Sequence, residues 1–433
     1  MLFYAVLACH LKHFTVKWIC VFWKSDYAET MGKCGKVNMD DLFDKCYKFT
    51  KVEEIKELGV YPYFHALESR QDVEVIMEGK RRIMLGSNNY LGLTTNPEVV
   101  EAGIKAFEKY GSGCSGSRFL NGTLELHLEL ENELAKFLRK ESVVTFSTGF
   151  QSNLGIISAL VGRHDYVICD RENHASIYDG CKLSYGKMLR YRHNDMADLE
   201  KMLASVPDEA GRLIVTDGVF SMGGDIANLP EIVKLAEKYG ARIMVDDAHG
   251  LGVIGEGGRG TASHFGLEDK VDIYMGTFSK SLASLGGYMA ASAPVVDYVR
   301  HNSRPFIFSA SITPPSCATA LAALRYLRAH PEIVDRLASL SSYARKGLTA
   351  RGLKFRQSTT STTPIIPIYT YTPDNTLLKT KELYDAGVYV NPVLPPATAP
   401  NECLLRTSYM ATHTEALLDE AMDIIASVMK QDD

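Results

Sequence analysis

Val245-Asp246-Asp247-Ala248-His249-Gly250 ends one apolar run, and Gly276-Thr277-Phe278-Ser279-Lys280 ends another, 31 residues after the histidine. Both runs are short, aliphatic or aromatic, and stop at glycine and polar residues. That is the pattern of strands buried on both faces of a sheet. Further runs of the same kind lie at Val143–Ser147, Tyr166–Cys169, Leu213–Asp217 and Tyr288–Ala291. Helical periodicity fills the spaces between, over Leu124–Lys140, Phe150–Leu160, Met196–Leu203 and Leu229–Tyr239. Alternation of strand and helix predicts an α/β fold with a large, mostly parallel sheet covered on both faces. Ligands in such sheets bind beyond the carboxyl ends of the strands, where both quoted segments end.

The rest of the chain is organised around that sheet. Pro314-Pro315 opens a long helical stretch, about 316–351. The final unit mixes strands at Ile365–Tyr371, Val388–Val390 and Leu404–Ser408 with a closing helix, for which Thr412 and Glu415 form a capping box. The expected divisions are an extension at 1–38, an N-terminal segment at 39–90, a large domain at 91–325 and a smaller α+β domain at 326–433. Residues 1–23 are apolar and aromatic, but Lys12 and Lys17 interrupt them. The uninterrupted run falls short of the ~20 residues of a membrane span. The extension is expected to be a start placed too early, with Met31 or Met39 as the true one.

Composition narrows the function. With 433 residues the chain exceeds one small core. Hydrophobic residues are 46% and charged residues 23%, ordinary for a globular enzyme. A net charge of −5 gives no sign of nucleic-acid binding. Nine cysteines, without C-x-x-C spacing, argue against a disulfide framework and against zinc, and for a reducing cytoplasm.

The strand ends carry a specific chemistry. A lysine amine, a carboxylate and phosphate donors are the groups that pyridoxal 5'-phosphate (PLP) requires. Lys280 is the candidate for the covalent attachment. Asp246 would face the ring nitrogen, because an opposite charge keeps that nitrogen protonated. His249, three residues on, leaves the strand close enough to reach the ring hydroxyl or a substrate carbonyl. Thr145-Phe146-Ser147-Thr148-Gly149-Phe150 passes from strand to helix, so the amides of Gly149 and Phe150 would point at an anion. His174, in Asn173-His174-Ala175-Ser176 after the next strand, could stack on a ring, although by itself the pattern also suits an ordinary loop histidine.

Seven motifs in order resemble the α-oxoamine synthase family of PLP fold-type I enzymes. They are S-N-N-Y-L-G-L (87–93), G-S-G-C-S-G-S-R-F-L-N-G-T (111–123), S-T-G-F (147–150), N-H-A-S-I (173–177), D-G-V-F-S-M-G-G (217–224), V-D-D-A-H-G-L-G-V-I-G (245–255) and G-T-F-S-K-S (276–281). The resemblance runs over about 60–430. It implies the Schiff-base role for Lys280, the pyridinium partner for Asp246, and cofactor contacts for Gly149, Phe150, His174, Ser221, His249, Thr277 and Ser279. It implies that Ala310 and Ser311, in F-S-A-S-I, reach the phosphate from the partner chain of a homodimer. Arg406, in L-L-R-T-S-Y-M-A-T-H-T, resembles the arginine that holds the amino-acid carboxylate, with Asn89 helping to place the substrate.

Within the family, F-S-K-S-L-A-S-L-G-G-Y (278–288) and the Arg406 segment are most similar to the bacterial branch that condenses L-serine with palmitoyl-CoA. That implies a decarboxylative condensation giving 3-oxosphinganine, with Lys280 moving the α-proton and His249 or His174 steadying the oxyanion. Peripheral contact with the inner face of a membrane is part of the same expectation. In one respect the chain departs: Leu394 precedes P-P-A-T, where some members of the branch have arginine. Sister synthases using glycine or alanine, such as glycine C-acetyltransferase and 8-amino-7-oxononanoate synthase, are the nearest alternatives. An ordinary aminotransferase and a non-catalytic partner subunit are others.

Overall fold

The protein is described by a computed structural model over residues 41–356 and 363–430. The expected extension at 1–38 and the alternative start at Met39 lie outside the described residues. The chain divides after Leu58 into two compact units. The first carries the short helix Lys51–Glu57. Everything that follows concerns the second.

The two strands of the opening motif sit side by side in the middle of a seven-stranded sheet. In chain order the strands are β3 (Ser142–Phe146), β4 (Tyr166–Asp170), β5 (Lys187–Tyr191), β6 (Arg212–Asp217), β7 (Arg242–Asp246), β8 (Ile273–Thr277) and β9 (Gly287–Ala291). Their spatial order is β3-β9-β8-β7-β6-β4-β5. β9 alone runs against the others, pairing antiparallel with β3 and β8. Register places Asp217 opposite Asp246, and Thr277 opposite Gly287. The functional strand ends therefore share one edge of the sheet.

Alternation along each strand feeds two cores. Ile214 and Val245 join the helices Glu125–Leu138, Leu229–Tyr239 and Pro314–Ala329 on one face. Leu213, Val215 and Met244 join Gly149–Leu160, Ala175–Leu183 and Ala293–Asn302 on the other. A sheet covered in this way excludes water from everything but its ends, so the strand termini become the place where polar chemistry is allowed.

A third core lies in the smaller α+β part. There β10 (Ile365–Tyr371), β12 (Asn391–Val393) and β13 (Cys403–Ser408) form an antiparallel sheet in the order β10-β13-β12. The helix Glu415–Met429 packs its Leu418, Met422 and Ile425 beside Ile366, Ile368 and Leu405. Upstream strands β1 (Glu74–Met77) and β2 (Lys80–Met84) pair with each other, and β2 pairs with β11 (Val388–Tyr389). The N-terminal segment is thus tied to the C-terminal part by a shared sheet.

Three local expectations need correction. The helical stretch at 316–351 is two helices, Pro314–Ala329 and Glu332–Ala350, separated at His330-Pro331. Proline lacks the N–H that would continue the helix. The closing helix is capped by Thr414, whose side chain accepts from Leu417 N at 3.2 Å, and not by Thr412. Thr412 instead lies against Gly92. That glycine has φ +68°, and a Cβ on it would fall 2.4 Å from the Thr412 side chain. Finally, β5 joins the sheet although Lys187-Met188-Leu189-Arg190-Tyr191 shows no clean alternation. As an edge strand it pairs only with β4 and keeps Lys187 and Arg190 in solvent.

Candidate active site

β7 delivers Asp246 at its last position, and the carboxylate is almost wholly buried. Its Oδ2 accepts from Asn153 Nδ2 at 2.7 Å, and its Oδ1 accepts from Ala248 N at 3.0 Å. Asn153 belongs to the helix Gly149–Leu160 and also donates to Ser176 Oγ, at 2.8 Å. Ser176 Oγ in turn lies 2.7 Å from His174 Nδ1. Aspartate, asparagine, serine and histidine thus form one chain of contacts across three elements. His174 caps the helix Ala175–Leu183 and leaves part of its ring open to solvent. Its backbone N–H reaches Asp217 Oδ1 at 3.3 Å. Burial, and then the neighbouring Asp246 charge, push the Asp217 carboxyl well above the usual range.

Lys280 follows β8 on a turn held at both ends. Thr277 Oγ1 donates to Gly286 O at 2.9 Å, and Phe278 N donates to the same carbonyl at 2.9 Å. Ser284 N closes the turn onto Phe278 O, also at 2.9 Å. The lysine is half-buried. Burial lowers its amine to about 8, with the Asp246 charge opposing the shift and Arg406 adding to it.

Beside this turn is a cradle of polar donors. Thr148 caps the helix Gly149–Leu160, its side chain accepting from Gln151 N at 3.1 Å. The amides of Gly149 and Phe150 stand in the first turn, where no intrahelical acceptor exists. The hydroxyls of Thr277 and Ser279, 2.9 Å apart, adjoin them. A Cβ on Gly149 would lie 2.8 Å from Thr277 Oγ1. Only glycine lets the helix start come this close to β8. Amide donors, hydroxyls and a helix N-terminus are the donor set that a phosphate monoester requires, so the residues fit PLP. Phe150 stands edge-on to His174, with ring centroids 6.3 Å apart.

Ala310 and Ser311 are held within their own chain by Ser147 and Gly116. Ser147 Oγ donates to Ala310 O. Ser311 Oγ and N both donate to Gly116 O, at 3.1 and 3.0 Å.

The opposite wall comes from the smaller part of the molecule. Arg406, in the middle of β13, is buried with 4% exposure, yet it makes no ion pair among the described residues. Its guanidinium donates to Ser221 O, to Ser408 Oγ at 2.7 Å, to Asn88 Oδ1 at 3.0 Å and to Tyr90 Oη at 3.1 Å. Tyr90 Oη is also 2.7 Å from His249 Nδ1. Burial, with Lys280 and Arg406 nearby, drives the His249 imidazole well below its ordinary pKa, so it is neutral.

Two residues missed in the sequence thus stand at this wall. Asn89 Nδ2 donates to Thr94 Oγ1 at 2.7 Å and its buried Oδ1 has no protein partner among the described residues, while the adjacent Asn88 meets Arg406. Tyr90 joins Arg406 to His249. The S-N-N-Y motif carried the signal, but nothing local separates one asparagine from the other. Ser221 is present through its carbonyl.

The loop after β6 is tied to the smaller part at further points. Thr363 Oγ1 donates to Gly224 O at 2.5 Å. Arg356 faces Asp225 and Glu172. His193 is held between Asp170 Oδ1 at 3.0 Å and Asp225 Oδ2 at 2.5 Å. Burial opposes its charge, but the two carboxylates prevail and carry its pKa to about 10.

Comparisons with known proteins place the chain among relatives. Residues 80–425 match the family of class I and II aminotransferases. A serine palmitoyltransferase of Sphingobacterium spiritivorum is 53% identical over 390 residues, covering 90% of this chain and 97% of the relative. An 8-amino-7-oxononanoate synthase of Thermoanaerobacter pseudethanolicus is more distant, 41% identical over 394 residues, covering 91% and 99%. Among solved structures, a serine palmitoyltransferase with its PLP internal aldimine superposes with a TM-score of 0.86 at 39% identity, covering 90% of this chain and 98% of the other. Matches of this extent, over a cradle and lysine of this form, place the chain in the class I and II aminotransferase family, in its α-oxoamine synthase branch.

Proposed function

We propose that this chain is a PLP-dependent acyltransferase that condenses L-serine with a long-chain acyl-CoA to give a 3-oxosphinganine. The carrying observation is that Lys280, Asp246 and Arg406 line one site in a chain 53% identical to a serine palmitoyltransferase over almost its whole length. Their presence together weighs against a non-catalytic partner subunit. The 8-amino-7-oxononanoate synthase relative is more distant, which favours serine over alanine as the amino acid.

PLP, when bound, supplies an electron sink that stabilises negative charge on the substrate α-carbon. Asp246 would hold the ring nitrogen in its protonated form, fixed in place by Asn153 and Ala248 N. Gly149, Phe150, Thr277 and Ser279 would hold the phosphate, His174 would cover one ring face, and Ser221 would border the cofactor. Arg406 would bind the serine carboxylate with its planar fork, because its described partners are all neutral acceptors and leave its charge unanswered. Asn88, which meets Arg406 directly, would share the positioning role with Asn89.

Lys280 would carry the proton at the α-carbon. With an amine pKa of about 8, roughly a tenth of it is neutral at pH 7. An ordinary lysine would offer about three parts in ten thousand. The new bond joins the serine α-carbon to the thioester carbonyl carbon, and the coenzyme A thiol leaves. The serine carboxylate departs as carbon dioxide, and the α-carbon takes a proton in its place. His249, neutral, would donate a hydrogen bond to the oxygen on which charge gathers.

The active form would be a homodimer with shared sites, in which Ala310 and Ser311 reach the partner's phosphate. The large domain would span 91–325 and the small one 326–433. Among the described residues no helix is long and apolar enough to cross a membrane, so any membrane contact would be peripheral.

The test is kcat/KM for serine, glycine and alanine against acetyl- and palmitoyl-CoA, with the product mass recorded. Serine with palmitoyl-CoA is expected to be best. Each buried methylene contributes about 0.8 kcal/mol, so efficiency should climb steeply with chain length. Highest efficiency with glycine and acetyl-CoA would transfer the chain to the glycine acetyltransferase branch.

A further inference from the structure

The carboxylate-binding wall and the ring-facing histidine are joined by one phenol. Tyr90 lies in S-N-N-Y (87–90), far from both partners in sequence, and is fully buried. Its oxygen accepts from Arg406 Nη2 at 3.1 Å and stands 2.7 Å from His249 Nδ1 and 3.2 Å from Asn88 Oδ1. A phenol has one proton to give. Asn88 Oδ1 is already served by Arg406 at 3.0 Å. A guanidinium donating to the phenol oxygen polarises the O–H and makes it a stronger donor. The shorter contact is to His249 Nδ1, and a neutral imidazole has one nitrogen that accepts.

We infer that Tyr90 is a positioning residue that donates to His249 Nδ1, fixing the tautomer with the proton on Nε2 and coupling it to Arg406. The tautomer of a histidine is set by the bond its other nitrogen makes. Nδ1, once filled by Tyr90, is closed to any ligand. Nε2–H becomes the only donor that His249 presents to the site. The same phenol helps hold the guanidinium, so its removal loosens both ends at once. This inference rests on the proposed roles of His249 and Arg406 at the site, not on which acyl-CoA is used.

The experiment is nitrogen NMR of PLP-loaded protein labelled with ¹⁵N-histidine, with His249 assigned by the signals lost in His249→Gln. Wild type is expected to show Nε2 protonated and Nδ1 as a hydrogen-bond acceptor. Tyr90→Phe, which removes only the oxygen, is expected to shift Nδ1 towards an unbonded value and to mix the tautomers. In Tyr90→Phe the dissociation constant for L-serine, followed by the visible absorbance of PLP, should rise about tenfold. In combination with His249→Gln the loss should be less than the product of the two separate losses. A wild-type His249 protonated at Nδ1 overturns the inference, whether or not the phenylalanine variant folds. So do unchanged nitrogen shifts in Tyr90→Phe, or independent losses in the double variant. The nitrogen measurement needs no substrate. A protein with the expected tautomer that fails to join serine to acyl-CoA would sink the proposed reaction and leave the Tyr90 inference standing.

Discussion

The two walls of the site are built in opposite ways. The lysine wall is local. Asp246, His249, Thr277, Ser279 and Lys280 come from two adjacent strand ends, and Gly149 and Phe150 from the helix start beside them. The arginine wall is assembled from distance. Arg406 meets Tyr90 across 316 residues, Asn88 across 318 and the Ser221 carbonyl across 185. The first wall carries the groups proposed to hold the cofactor. The second would decide which amino acid is held and at what angle. A shared cofactor can therefore be kept by short motifs, while substrate choice is spread over segments free to vary separately.

If the walls are separable in this way, substitutions should divide cleanly between them. The largest effect is expected at Lys280. Lys280→Ala should abolish the lysine-bound absorbance of PLP and lower turnover by about 10⁴-fold, with thermal unfolding little changed. A borohydride-trapped adduct on another lysine would break the comparison, because the local wall would then not be the reactive one. Next, Arg406→Lys should raise the serine KM about a hundredfold while PLP absorbance stays intact. Loss of the absorbance as well would show that the two walls are one.

A stability measurement sharpens the contrast. Burial holds the Lys280 amine at about 8, against an ordinary 10.5. Between those values the unfolded chain binds a proton that the folded chain does not, so stability rises with pH through that window. In the PLP-free protein, Lys280→Met should therefore be more stable at pH 7, by about 1–3 kcal/mol. The gain should shrink from pH 8 and vanish near 10.5, as read from urea midpoints. The smallest effect separates two neighbours. Asn88→Ala should raise the serine KM about fivefold, losing one hydrogen bond to Arg406. Asn89→Ala should raise it less, since the Asn89 amide donates to Thr94.

Much of the lysine wall was legible in the sequence, because strand ends follow from apolar runs and the residues one to four positions beyond them follow automatically. The sheet was legible for the same reason, apart from its edge. β5 escaped because an edge strand with solvent on one side need not alternate. The arginine wall was legible only as a resemblance. No periodicity connects position 88 to position 406, and the choice between Asn88 and Asn89 depends on which of them meets Arg406. Proline 331 was in plain view as a breaker of the long helical stretch, and Thr414 as a cap two residues beyond Thr412. In both cases the local rule was sound and was applied at the wrong position. The clamp of His193 between Asp170 and Asp225 had no signal at all, since its members lie at the end of β4 and on the segments after β5 and β6.

The turn that bears Lys280 is fastened at its base by Gly286 and closed by Ser284, and it leads straight into β9. A hairpin clamped at its neck behaves as a fixed post and not as a swinging arm. The amine then travels only by torsions of its own hydrocarbon stem, so letting go of one partner and seizing another requires no loop to open. The antiparallel strand β9, an odd member of an otherwise parallel sheet, is what anchors that post: by returning at once beside β8, it keeps a long, supple side chain tethered to the interior of the seven-stranded sheet.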